Sequence, residues 1–96
     1  MSKLLLENKK GLIMGVANER SLAWGIASEC YEQGANIAFS YQGEALGKRV
    51  KPLAKKLNSE IVIDCDVSNS SSIDNIFEVI KNKWGKLDFV VHAIGF

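Results

Sequence analysis

The sequence predicts an α/β fold, the β-α-β-α-β-α-β part of a doubly wound parallel sheet with strand order 3-2-1-4. Three observations predict it. Four apolar, strand-like runs recur at a spacing of roughly 25 residues, the rhythm of βα units. Segments with helical periodicity lie between them. Strands separated by helices run parallel, and runs such as Ile61-Val62-Ile63 and Phe89-Val90-Val91 suit strands covered on both faces.

The strand runs are Gly11–Met14, Asn36–Tyr41, Glu60–Asp64 and Leu87–His92. In the first helix Leu22, Ala23, Ile26, Ala27, Cys30 and Tyr31 share one face, and Gly34 follows where a left-handed terminus belongs. The second helix, about Glu44 to Leu57, contains Pro52, which lacks an N–H and crowds the preceding turn. A kink is expected there, or a break with Pro52 starting a second short helix. In the third, Ile73, Ile76, Phe77, Ile80 and Trp84 form a stripe. Ser71 with Asp74 fits a capping box, and Gly85 ends the helix.

Composition bounds the function. The chain has 96 residues, 47% of them hydrophobic, enough for one small core. Lys plus Arg is 12 against 11 Asp plus Glu, so charge gives no reason to expect nucleic acid or an acidic membrane. Lys48, Arg49, Lys51, Lys55 and Lys56 follow helical spacing and read as a solvated face. Cys30 and Cys65 lack the spacing of a zinc site and are too few for a disulfide framework, so two reduced thiols are expected. The N-terminus holds only three consecutive apolar residues before a charge, too few for a signal-peptide core or membrane span. A cytoplasmic protein is expected.

Strand C-terminal ends share one rim in such a sheet, and ligands bind there. Gly15 ends the first strand, where backbone must approach a ligand closely. Ser21 stands at the following helix start, where its hydroxyl can cap the helix or donate to a phosphate. Gln42 ends the second strand, where dinucleotide folds meet the adenosine ribose. Its neutral amide, with no cation before Lys48, favours NADH over NADPH. Asp66 and Val67 follow the third strand, as an acceptor and an apolar neighbour for an adenine ring. Taken alone, Asp66 reads rather as a loop aspartate bonding its own backbone. Ala93-Ile94-Gly95 ends the fourth strand with small and flexible residues. His92, the only histidine, reads as packed rather than catalytic. Tyr41 and Lys48, with six residues between them, read as a coincidental pair at the adenosine end.

Gly15-Val-Ala-Asn-x-x-Ser-Leu-Ala-Trp-Gly25, Phe39-Ser-Tyr-Gln42, Cys65-Asp-Val67, Ser72-Ile-Asp74 and Val91-His-Ala-Ile-Gly-Phe96 together resemble the NADH-dependent enoyl-acyl-carrier-protein reductases of bacterial fatty-acid synthesis. These are a divergent branch of the short-chain dehydrogenase/reductase superfamily. Ordinary members carry Thr-Gly-x3-Gly-x-Gly. Here Ser21 and Ala23 replace the second and third glycines after two extra residues, a substitution that enoyl reductases share. The resemblance implies a Rossmann-like domain. It implies an NADH site lined by Gly15, Ser21, Leu22, Gln42, Asp66, Val67 and Ile94, and a trans-2-enoyl substrate carried on acyl carrier protein. It also implies a homotetramer in the full-length enzyme, with no nucleic-acid partner. The family's catalytic Tyr-x6-Lys lies beyond Phe96, so no residue of this chain takes a catalytic role. Residues 1–96 are then expected to be a partial NAD(P)-binding domain, truncated before the catalytic half and inactive alone. Two alternatives stay open: a fragment of another short-chain reductase, or a non-catalytic nucleotide-binding or interaction module. The last strand, as an edge, is expected to make the chain poorly stable alone or self-associating.

Overall fold

The computed structural model describes residues 5–93. They form strands β1 (Lys10–Met14), β2 (Asn36–Tyr41), β3 (Val62–Asp64) and β4 (Phe89–His92). Helices α1 (Leu22–Glu32), α2 (Glu44–Lys56) and α3 (Ser70–Trp84) alternate with them. The sheet is parallel in the order β3-β2-β1-β4, as the βα rhythm predicted. Lys10 pairs with Asn36, Gly11 with Phe89, and Tyr41 with Asp64.

β1 is central, and its side chains alternate between two cores. Ile13 packs with Val16, Ala23, Ala27, Ile37, Phe39 and Val50 under α1 and α2. Leu12 and Met14 pack with Ala38, Ile61, Cys65, Ile76 and Ile80 under α3. Period-two alternation therefore serves both faces, and every position from Gly11 to Met14 is buried. Gly11 is required by close packing. A Cβ there would collide with the Phe89 ring on β4.

α1 lies close to the sheet because its buried positions, Ala23 and Ala27, are small and one turn apart. Trp24 stacks on Phe39 with ring centroids 6.2 Å apart. Leu22 does not join this face. As the first residue of the helix it stands at the open rim, 74% exposed. The C-terminus follows the double-bonded left-handed pattern. Gly34 has φ 95°, its N–H reaches the Tyr31 carbonyl at 2.9 Å, and the Ala35 N–H reaches that of Cys30 at 3.1 Å. α2 ends the same way with Asn58 at φ 54°.

Two local expectations are narrowed or corrected. Of the kink or break expected at Pro52, the break does not occur: α2 runs through Pro52 with no second helix. Pro52 and Lys48, whose carbonyl loses its helical partner, both lie on the exposed side, where water replaces the bond. α3 is capped by Asn69 rather than by a Ser71–Asp74 box. Asn69 Oδ1 accepts the N–H groups of Ser71 at 2.9 Å and Ser72 at 3.2 Å, so the helix begins two residues before the proposed box. Its buried stripe is Ile76 and Ile80, with Phe77 on the flank at 40% exposure. Gly85, at φ 74°, ends it as expected.

Candidate functional site

At the C-terminal rim, between the β1–α1 turn and the start of α2, a cleft of about 270 Å³ opens. Gly15, Val16, Ala17, Ser40, Tyr41, Gln42, Leu46 and Cys65 line it. Gly15 sits at φ 107°, a conformation that L side chains rarely adopt, and it turns the chain out of β1 toward α1. Val16, 1% exposed, anchors that turn in the α1/α2 core.

Ser21 sets the shape of the turn. Its Oγ accepts from Trp24 N–H at 3.3 Å and from Ala17 N–H at 3.5 Å, and it donates to the Asn18 carbonyl at 2.8 Å. One proton and two lone pairs are thereby engaged. Ser21 acts here as the helix cap, and a bond to a bound phosphate would require it to release Asn18. Leu22 lies beside it, exposed, and neither residue lines the cleft.

Gln42 lines the cleft at the end of β2. Tyr41 beside it packs its ring on α2, where a Cβ at Gly47 would come within 2.7 Å of Tyr41 Cε2. Lys51, not Lys48, lies over that ring, with Nζ 5.9 Å from its centroid.

Asp66 and Val67 stand on the β3–α3 turn, outside the cleft lining. Asp66 Oδ1 accepts from the Ser68 N–H at 2.9 Å and the Ser68 hydroxyl at 2.6 Å. These two bonds hold the Asp66 carboxyl below its ordinary pKa, the hydroxyl bond contributing most. The Asp66 N–H donates to Ser72 Oγ at 2.9 Å. The carboxylate is therefore a turn former as found. Val67 packs against the α3-side core. Ile94 lies outside the described residues. Of the anticipated residues, Gly15 and Gln42 meet in one cleft.

The sequence reading missed Val16, Ala17, Ser40 and Leu46 as lining. Leu46 is the one apolar residue of the first turn of α2 left only half-buried, and helical periodicity alone could have flagged it. Cys65 is buried at the end of β3, and the thiols of Cys30 and Cys65 are both free. Burial, helped by Glu29, pushes the Cys30 thiol above its ordinary pKa, so it is a poor nucleophile. Among the described residues no group of three metal-ligating side chains occurs, and no helix is long and apolar enough to cross a membrane.

A parallel sheet with a glycine turn, a capped helix and a rim cleft between its first two helices defines a doubly wound nucleotide-binding class of fold. Comparison with known proteins narrows the class. Residues 15–96 match the family model described as enoyl-(acyl carrier protein) reductase, and the chain belongs to that family. It is 62% identical over 92 residues to enoyl-[acyl-carrier-protein] reductase [NADH] 2 of Rhizobium meliloti, covering 96% of this chain and 34% of that protein. The solved enoyl reductase of Anaplasma phagocytophilum, in complex with NAD, superposes with a TM-score of 0.88 at 52% identity, over 95% of this chain and 35% of that one. FabI of Candidatus Liberibacter asiaticus gives 0.89 at 55% identity, over 96% and 35%. The chain thus spans about a third of the length of these relatives.

Proposed function

We propose that residues 1–96 form the adenosine and pyrophosphate side of the NADH site of an enoyl-acyl-carrier-protein reductase. The observation that carries this reading is the rim cleft floored by Gly15 at φ 107° and walled by Gln42. Its chemistry fits. A turn without a Cβ admits a pyrophosphate, and the α1 N-terminus offers N–H groups and partial positive charge. Its size fits part of the cofactor: 270 Å³ lies just below the roughly 300–1,000 Å³ of complete small-molecule sites.

In this reading Gly15 and the Val16-Ala17 backbone approach the phosphates, and Ser21 holds that backbone in shape. Gln42 bonds the ribose, Leu46 covers the base from α2, and Asp66 with Val67 meets it from the β3–α3 turn. Leu22 flanks the path toward the nicotinamide, and Ile94 is a further cofactor-binding residue. When bound, NADH supplies a hydride to the β-carbon of a trans-2-enoyl thioester carried on acyl carrier protein. The tyrosine and lysine that stabilise the enolate and hold the ribose belong, in the family pattern, to residues after Phe96. The same reading places the protein in the cytoplasm as a homotetramer.

Calorimetric titration of the folded chain with NADH, beside NADPH, tests the site. Saturable NADH binding is expected, weakened on the order of fivefold by Gln42→Ala, about 1 kcal/mol for a lost hydrogen bond. Absence of NADH binding by a chain with native circular dichroism would falsify the assignment.

A further inference from the structure

Dinucleotide sites choose between NAD and NADP at the end of the second strand, where an acidic residue disfavours the extra phosphate on the ribose. Here β2 ends in Tyr41, followed by the neutral Gln42. The negative charge arrives from the neighbouring strand instead. Asp64, the last residue of β3, pairs in register with Tyr41, and its Oδ1 accepts the Gly43 N–H at 3.2 Å.

Gly43 is the N-cap of α2. It has φ 91° and no side chain with which to cap the helix. The Asp64 carboxylate therefore occupies the position at a helix start where unpaired N–H groups and the positive dipole end would otherwise receive an anion. It does not itself line the cleft but stands next to residues that do: Cys65 follows Asp64 in the chain and Gln42 precedes Gly43, and both line the cleft. Glu44, in the first turn of α2, adds charge of the same sign, and the first cation along the helix is Lys48, a turn further on.

We infer that Asp64 is the residue that sets the preference for NADH over NADPH. This rests on the cleft being the adenosine side of the site. Asp64 acts in two ways. Its charge repels a 2′-phosphate, and its bond to Gly43 removes the N–H that such a phosphate would use. The roles that other dinucleotide folds combine in one acidic residue are divided here. Gln42 supplies a neutral hydrogen-bonding group, and Asp64 supplies the charge.

Asp64→Asn keeps an acceptor for the Gly43 N–H and removes only the charge. Calorimetric Kd values for NADH and NADPH are compared in the parent, Asp64→Asn, Glu44→Gln and Asp74→Asn. Asp74 is exposed on α3 and controls for net charge alone. The expected result is NADH affinity within about twofold of the parent and NADPH affinity raised on the order of tenfold in Asp64→Asn. Glu44→Gln shows a smaller rise and Asp74→Asn none. The same ratio must move for ADP against 2′,5′-ADP, which lack the nicotinamide. An unchanged NADH-to-NADPH ratio in Asp64→Asn, with NADH still bound, overturns the inference while leaving the cleft assignment standing. An equal shift in Asp74→Asn overturns it as well. If the folded parent binds neither dinucleotide, the cleft assignment fails and the inference falls with it.

Discussion

The two faces of the sheet are packed to different depths. Under α1 and α2 the described residues bury a continuous core from Ala23 and Ala27 through Phe39 to Val50 and Leu53, and Trp24 stacks on Phe39. Under α3 a single helix covers four strands. Its buried contacts centre on Ile76 and Ile80 over Leu12 and Met14, while Phe77 and Val90 remain 40% and 45% exposed. Val90 lies opposite Leu12 in register, so it belongs to this thinner face. The difference teaches where the site is rigid. The cleft is lined by the β1–α1 turn, the end of β2 and the start of α2, and its turn is anchored by Val16 in the deeply packed core.

The sharpest way to break that contrast is to excavate each face in turn. Phe39→Ala removes a fully buried ring and its stacking with Trp24, and about 3–5 kcal/mol of stability should go with it. Ile76→Ala, equally buried but beneath one helix, should cost about 2–3 kcal/mol, the lower part of the range for such changes, because the open flank at Phe77 and Val90 can collapse inward. Chemical denaturation of both variants checks the order. Equal losses would mean that the two faces are packed alike.

A smaller effect separates the two descriptions of how α3 starts. Asn69→Ala removes the acceptor for two backbone N–H groups and should cost about 1 kcal/mol. Ser71→Ala, in the first turn and exposed, should stay within about 0.5 kcal/mol of the parent. The reverse order in thermal unfolding would restore the Ser71–Asp74 box.

These cases show what kind of information a sequence carries. Strand order, helix count and the helix ends at Gly34 and Gly85 were legible because periodicity and left-handed glycines act locally. The family was legible because its motifs cover nearly the whole chain in order. Asn69 was misread because three serines follow it, any of which could cap a helix. Leu22 and Phe77 fit their helical stripes by spacing, yet the helices are rotated to bury Ala23 with Ala27 and Ile76 with Ile80. The break at Pro52 did not occur, since the cost of a helical proline depends on whether water can reach the freed carbonyl. In the site, Gly15 and Gln42 could be placed from strand ends alone. The bond from Asp64 to Gly43 could not, because it joins residues 21 apart through a strand pairing that only the folded sheet creates.

The thinner face has a further property that acid should expose. Two aspartates bracket the α3 crossover. Asp66 closes the turn that leads into α3, and Asp88 accepts the Lys10 N–H at 2.7 Å where β4 meets β1. The Asp88 carboxyl is held below its ordinary pKa, chiefly by that backbone bond and then by Lys86, whose Nζ lies 3.1 Å from Oδ2. Asp66 is lowered by Ser68. Because both folded values are depressed, each group contributes stability that is full above the unfolded-chain value, at about pH 4, and is lost as pH falls through the folded value. Asp88→Asn keeps an acceptor for Lys10 but cannot ionise. The variant should therefore be less stable than the parent above pH ~5 and should converge with it on acidification, as should Ser68→Ala for Asp66. Denaturation midpoints measured from neutral to acid pH check this. A gap between parent and variant that held constant down to the lowest pH would mean that the two bonds act without their charge, and that the α3 crossover is held by packing alone.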